Sequence, residues 1–228
     1  MSNEELQPQP FILVQGQRVG LGALRQDLIP TYLKWRSDLE VLRGTGENAQ
    51  VPTVEALQAW YEQATSPESR DVHFTIYDLD DLAPVGTAVL VRVDQHAGTA
   101  EFGLTIGERR NQGLGTEATR LVLDWAFTVM GLHNILLVTF SWNLPAIRAY
   151  SKAGFREIGR RRGAVVTYGQ RHDQVLMDAV ADEFTDSVLA KQAPPTTEPP
   201  GRPRATDDAR YRFLYSLVRH EAPFDRVG

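Results

Sequence analysis

The sequence predicts a mixed α/β domain, on three observations. Three strand-like runs follow one another between residues 72 and 106; residues 114–130 carry apolar side chains at intervals of three and four; and a glycine-rich turn, Arg109-Arg-Asn-Gln-Gly-Leu-Gly-Thr, joins the last of those strands to that helix. At 228 residues the chain is long enough to bury one substantial core, and a second full domain would leave both halves small, so one domain plus extensions is expected.

The elements follow in order. From Pro10 to about Arg25, an apolar run broken by Gly16 reads as an opening strand or hairpin. Two helices come next, one over Asp27 to Arg36 and one opened by Pro52-Thr53 with Val54, Leu57 and Tyr61 on one face, and Arg43-Gly-Thr-Gly-Glu-Asn is expected as the loop between them. Val72 to Tyr77 alternates, Asp78 to Pro84 is a turn, and Val85 to Val93 is an apolar strand. Thr99 to Ile106 alternates again, with Ala100, Phe102, Leu104 and Ile106 on one face and Glu101, Gly103 and Thr105 on the other. Leu114 to Met130 is expected as one helix with an apolar stripe of Ala118, Leu121, Val122, Trp125, Ala126 and Val129, stopped by Gly131. Ile135 to Phe140 is a buried strand. Asn143 caps a short helix over Leu144 to Ala153, with Pro145 in its first turn and Gly154 at its end. Strands over Phe155 to Arg161 and Val165 to Ala179 close the domain, which is expected to span residues 1–184. Six of the thirteen prolines lie from Pro194 onward, so residues 185–206 read as a linker, and Tyr211, Leu214, Tyr215 and Val218 place a short amphipathic helix in 207–228.

Composition removes several classes of function. Cysteine is absent, which excludes thiol nucleophiles, disulfides and thiolate metal sites, and no other metal-ligand cluster is evident. A net charge of -5 argues against a broad nucleic-acid footprint, which needs a basic face. No segment is apolar enough to span a membrane and the start does not resemble a secretory signal, so a cytoplasmic protein is expected. No serine sits in a Gly-x-Ser-x-Gly elbow.

The turn before the long helix is the strongest functional signal. A strand feeding a glycine-rich turn into a helix N-terminus leaves several backbone N–H groups converging, a nest for phosphate oxygens. Gly113 and Gly115 let the backbone approach an anion, and Arg109 and Arg110 add positive charge. A P-loop would need Gly-x-x-x-x-Gly-Lys-Ser/Thr, which the chain lacks. Gly113-Leu-Gly-Thr-Glu-Ala fits the dinucleotide fingerprint in spacing, but the following strand ends in Phe140-Ser-Trp-Asn, without the acid that would hold a ribose. Arg110-Asn-Gln-Gly-Leu-Gly resembles the Arg/Gln-x-x-Gly-x-Gly/Ala pyrophosphate loop of the GNAT acetyltransferases. Asn143-Leu-Pro-Ala-Ile-Arg-Ala-Tyr-Ser-Lys-Ala-Gly-Phe resembles that family's Asn-x-x-Ala-x-x-x-Tyr-x-x-x-Gly-Phe segment, and Tyr168-Gly-Gln-Arg-His-Asp-Gln-Val-Leu-Met is similar to the ending of its RimJ/RimL-like branch. The match runs in order from about Phe11 to Val180; the proline-rich tail departs from it.

That resemblance implies a largely antiparallel sheet of six or seven strands, parallel across one splayed pair, with helices on both faces. It implies acetyl-CoA as co-substrate, lying where the strands Thr99–Ile106 and Ile135–Phe140 splay apart. Leu104, Thr105 and Ile106 would pair through their backbone with the pantetheine arm, Gln112, Gly113, Leu114, Gly115 and Thr116 would hold the pyrophosphate with Arg109 and Arg110 beside them, and Asn143 would meet the pantetheine. Tyr150 would protonate the departing thiolate. Glu101, on the polar face of its strand, is the first candidate for the base that accepts the amine proton, and equally reads as a solvated glutamate; His73 is the second. His172-Asp173 reads as a structural feature. Glu47 and Glu55 lie where the family builds its substrate wall and could receive a cationic amine, or simply face water. The expected activity is direct acetyl transfer to an amine acceptor, a protein N-terminus or a small molecule, with a homodimer allowed for. A module that holds coenzyme A without catalysis is the alternative.

Overall fold

The opening run folds as a hairpin of β1 (Ile12–Gln15) and β2 (Val19–Gly22), and a computed structural model describes residues 9–45, 51–167 and 169–192 of the chain. The proline-rich stretch from Pro194, the expected helix of 207–228, Glu47 and Tyr168 lie outside the described residues. The hairpin supplies two strands where one or two were expected, so the sheet has eight: β3 (Val72–Asp78), β4 (Pro84–Asp94), β5 (Thr99–Ile106), β6 (Asn134–Phe140), β7 (Arg156–Thr167) and β8 (Gln170–Val180) complete it in the order β1-β2-β3-β4-β5-β6-β8-β7. All neighbours are antiparallel except β5 and β6.

The parallel pair is short. Thr99, Ala100 and Glu101 pair with Asn134, Ile135 and Leu136, and beyond that point the strands separate, β6 continuing along β8 as far as Phe140. The free edge of β5 from Phe102 to Ile106 therefore faces a gap whose unpaired backbone groups need partners.

Side-chain alternation along β3 sorts the helices onto two faces. Phe74 and Ile76 point into the larger core with α4 (Leu114–Asp124), where Leu114, Ala118, Leu121, Val122 and Leu123 are buried. Tyr77, from the opposite side of the strand, joins a second core formed with α1 (Ile29–Arg36) and α3 (Val54–Ala64) through Tyr32, Trp35 and Leu57. Thr53 caps α3 by accepting the Ala56 amide at 3.2 Å. The first turn of α4 is pinned to the hairpin by Glu117, whose Oε1 accepts the amides of Gln17 and Arg18 at 2.6 and 2.9 Å.

Four expectations need correcting. Arg43 to Thr45, expected as loop, ends a further helix α2 (Leu39–Thr45), because Val41 is buried and gives the segment an apolar anchor. The long helix is not α-helical throughout: after Asp124 it continues as a π turn, Trp125–Val129, which rotates Val129 off the apolar stripe to 52% exposure. Val165 to Thr167 belongs to β7, and β8 begins at Gln170, since the β-branched run Val165-Val-Thr just before Gly169 reads as strand and hides the turn. Finally, the stretch expected as linker from residue 185 starts with a packed turn, α6 (Val188–Gln192). Its N-terminus is held by the buried carboxylate of Asp124, which accepts the Val188 and Leu189 amides at 2.6 and 3.0 Å and the hydroxyls of Thr128 and Ser187 at 2.8 and 2.5 Å. No helix among the described residues is long and apolar enough to cross a membrane.

Candidate active site

The gap between β5 and β6 opens into two cavities. The first, about 430 Å³, is lined by Leu104, Thr105 and Ile106 of β5, by Arg109, Arg110, Asn111, Gly113, Leu114, Gly115 and Thr116 of the glycine-rich turn, and by Asn143, Arg148, Tyr150 and Lys152 at or on α5 (Leu144–Ala153). The turn explains its character. Arg109, Asn111 and Gly113 have φ of +51°, +63° and +87°, with Arg110 and Gln112 between them on the negative side. Left-handed and right-handed residues in alternation bring successive N–H groups onto one concave side, which is the geometry of an anion nest. The first helical bonds of α4 run from the Thr116 and Glu117 amides to the Gly113 carbonyl, so the amides just before them point out of the helix end. Gly113 permits the left-handed step at a helix cap. At Gly115 a Cβ would stand 3.3 Å from Ile106 Cγ1, so glycine allows α4 to begin close against β5.

The two arginines are not held as the sequence suggests. Arg109 donates to Asp78 at 2.5 Å and to Asp81, and Arg110 donates to Glu40 at 2.6 Å, to Asp38 and to the Ile106 carbonyl. The Arg109 hydrogen bond holds Asp81 below the usual carboxylate range; burial alone would raise Asp78, but the bonds from Arg109 and the Asp80 amide, with the guanidinium charge, together override it. Arg110 likewise lowers Asp38. Each guanidinium thus stiffens the turn or ties it to the α1–α2 corner. The cations that face the first cavity without an ion pair among the described residues are Arg148 and Lys152, one helical turn apart on α5. Sequence reasoning passed over them because each is two residues from Tyr150, a spacing that does not place side chains on one side of a helix. Gln112 does not line the cavity; its carbonyl accepts from Arg18 at 2.9 Å.

Asn143 does cap α5, accepting the Ala146 amide at 3.3 Å, and donates to the Gly44 carbonyl at 3.3 Å. With Trp142, whose indole donates to the Arg43 carbonyl at 3.0 Å, it ties the end of α2 across the gap.

The second cavity, about 270 Å³, is lined by Tyr32, Trp35, Trp60, His73, Thr87, Val89, Phe102 and Gly103 among others. Val41, Gly44, Leu104, Thr105 and Tyr150 line both, so the cavities meet at Tyr150. The Tyr150 ring packs edge-on against Phe102 and Phe155, with centroids 6.1 and 6.0 Å away, and desolvation pushes its phenol up to about 12. It stays protonated at neutral pH and can donate a proton.

Of the two candidate bases, His73 lines the second cavity and Glu101 lines neither. A bulge at Arg92 turns that side chain onto the Glu101 carboxylate, close to where β5 still pairs with β6. Burial lowers the His73 pKa, partly opposed by Asp71, which leaves the imidazole neutral near pH 7. Glu55 is exposed in the first turn of α3, on neither cavity, while His172 packs on Trp142 and Asp173 accepts the Gly163 amide, both structural contacts.

A splayed parallel pair, an anion nest at a helix start and a phenol where two cavities meet define an acyltransferase-like site on a mixed sheet. Comparison with known proteins agrees: residues 18–156 match the family model described as the acetyltransferase (GNAT) domain, and the chain belongs to that family. A Bacillus subtilis protein named as a probable N-acetyltransferase is 33% identical over 112 residues, 48% of this chain and 62% of its own length. The spermidine N(1)-acetyltransferase of Escherichia coli K12 is 32% identical over 93 residues, 40% of this chain and 50% of its own. The chain thus spans between half and two thirds of these relatives. Among solved structures, spermidine N-acetyltransferase from Vibrio cholerae, in complex with CoA and spermine, superposes with a TM-score of 0.68 at 20% identity, covering 74% of this chain and 99% of that one. An acetyltransferase of the GNAT family from Bacillus anthracis gives 0.65 at 20% identity, over 75% and 99%. At this identity the structures support the fold alone.

Proposed function

We propose that the protein is an acetyl-CoA-dependent N-acetyltransferase that passes the acetyl group directly to a primary amine. The observation that carries this reading is Tyr150, a protonated phenol where a nest-bearing cavity and a side-chain-lined cavity meet. The residues present fit coenzyme A. Amides of Asn111 to Gly115 suit the pyrophosphate, Arg148 and Lys152 suit its phosphate charges, and the unpaired edge of β5 at Leu104 to Ile106 suits the amides of a pantetheine arm. When bound, acetyl-CoA supplies the activated acetyl group.

The chain's own residues do the rest. His73, neutral and on the acceptor side, takes the proton of the incoming ammonium, directly or through water, and is preferred to Glu101 because that carboxylate is engaged by Arg92. Tyr150 donates its proton to the departing thiolate. Leu104 and Thr105 hold the two reactants in register at the mouth shared by the cavities. The RimJ/RimL-like ending favours an acceptor presented as a terminal amine, and the polyamine acceptors named for the relatives are the other class to include.

Release of free thiol from acetyl-CoA, measured against peptides, polyamines and small monoamines, tests the proposal. Turnover that falls by about 10²–10⁴ in Tyr150→Phe supports it. Binding of acetyl-CoA with no thiol release on any amine would leave a coenzyme A-holding module instead, and failure to bind acetyl-CoA would remove both.

A further inference from the structure

We infer that Arg18, at the tip of the β1–β2 hairpin, is a positioning residue for the anion nest. Its guanidinium draws the Gln112 carbonyl toward the hairpin and so presents the Gly113 amide to the coenzyme pyrophosphate. The inference rests on the reading of the first cavity as the coenzyme site. Arg18 Nη1 donates to the Gln112 oxygen at 2.9 Å, across 94 residues of chain. In a planar trans peptide the C=O and the N–H of the next residue point in opposite directions. The bond joining Gln112 to Gly113 is trans, so a Gln112 carbonyl turned to the hairpin sends the Gly113 N–H the other way. The lining of the first cavity agrees: among the described residues Gly113 borders it, and neither Gln112 nor Arg18 does. Arg18 thus acts on the nest from behind, through a peptide plane, and is not itself a ligand of the anion.

The hairpin tip is anchored in turn. Glu117 Oε1 accepts the amides of Gln17, Arg18 and Val19 at 2.6, 2.9 and 3.3 Å, and the Arg18 carbonyl accepts the Leu79 amide at 2.8 Å. The contacts therefore cross: a side chain of α4 grips the hairpin backbone, and a hairpin side chain grips the backbone of the turn that opens α4. Such bracing matters because Arg109 and Asn111 hold left-handed conformations without being glycine, which the surroundings must impose. Ion pairs of Arg109 and Arg110 brace the first half of the turn. Arg18 braces the second half through a carbonyl. A nest already set in its binding geometry spares the coenzyme the cost of ordering it.

The test uses the full chain and coenzyme A, reading affinity by calorimetry and the Gly113 amide by NMR on glycine-labelled protein. Arg18→Met should raise the Kd for coenzyme A about three- to tenfold, the range that one hydrogen bond supplies, and should diminish the Gly113 amide shift on binding. Arg18→Lys, which can still donate to the carbonyl, should recover most of the loss. The Arg18 side chain is exposed and the hairpin is anchored through backbone atoms, so both variants are expected to fold. In a Glu117→Ala background, where the hairpin is released, the Arg18→Met penalty should shrink, because the two residues act in series. Coenzyme A affinity or a Gly113 shift unchanged by Arg18→Met overturns the inference, as does a lysine variant no better than the methionine one. A penalty that disappears at high salt also overturns it, since Arg18 would then act by its charge alone. Failure of the parent protein to bind coenzyme A would instead overturn the coenzyme reading, and the inference with it.

Discussion

The two cavities that meet at Tyr150 are built from different materials. The proposed coenzyme side relies on backbone: a run of alternating positive and negative φ from Arg109 to Gly113, the start of α4 and the free edge of β5. The proposed acceptor side relies on side chains, with rings drawn from α1, α3 and β3 that are far apart in sequence. A backbone site depends on a few residues in a fixed order and tolerates change elsewhere. A side-chain site can be respecified by single substitutions, and it is here that members of one family can differ in acceptor.

Substitutions that act on one side and spare the other test this division. The largest effect is expected at the junction, where Tyr150→Phe should lower kcat by roughly 10²–10⁴ while changing the KM for acetyl-CoA little, because the ring packing against Phe102 and Phe155 remains. An equal fall in acetyl-CoA affinity would mean that the phenol binds rather than reacts. On the acceptor side, His73→Gln should cost about 10² in kcat/KM for the amine. In the parent protein the acid limb of kcat/KM should fall below pH 6.5, the ordinary histidine value, since burial lowers the His73 pKa and activity rises as pH climbs through it. The same shift means that the unfolded chain binds this proton more readily, so stability declines as pH falls through that range. A pH profile unchanged by His73→Gln would return the base role to Glu101.

On the coenzyme side, Arg148→Ala combined with Lys152→Ala should raise the KM for acetyl-CoA several-fold and weaken its salt dependence, leaving the amine KM unchanged. The effect is modest because both side chains are exposed, and exposed charge pairs contribute about 0.2–1 kcal/mol each. The smallest effect on either cavity is expected from Asp124→Ala. Loss of the acceptor shared by Thr128, Ser187, Val188 and Leu189 should lower unfolding stability by about 1–3 kcal/mol and release α6, measured by denaturant titration, with kinetic constants near those of the parent. A kinetic defect larger than the stability loss explains would link α6 to the cleft.

Much of the fold was legible because the signals are local. Thr99 to Ile106 forms the strand its alternation requires, and Asn143, Pro145 and Gly154 bound α5 at the expected residues through a side-chain cap, a tolerated first-turn proline and a left-handed stop. The failures are equally local in cause. Gly44 masks α2, whose reason for folding is the burial of Val41 against other elements, and nothing in the apolar spacing of Leu114 to Met130 reports the π turn after Asp124.

The sequence by itself determined the nest and the helix that carries Tyr150, because each depends on backbone conformations that glycine, proline and capping residues impose on their neighbours. Tertiary structure alone decided which charges are available. It joined Arg109 to Asp78 and Asp81, Arg110 to Asp38 and Glu40, and Glu101 to Arg92, and it left Arg148 and Lys152 facing the first cavity and His73 facing the second. An ion pair between residues about 30 or 70 apart leaves no mark on the local pattern, because Coulomb attraction depends on distance through space and not along the chain.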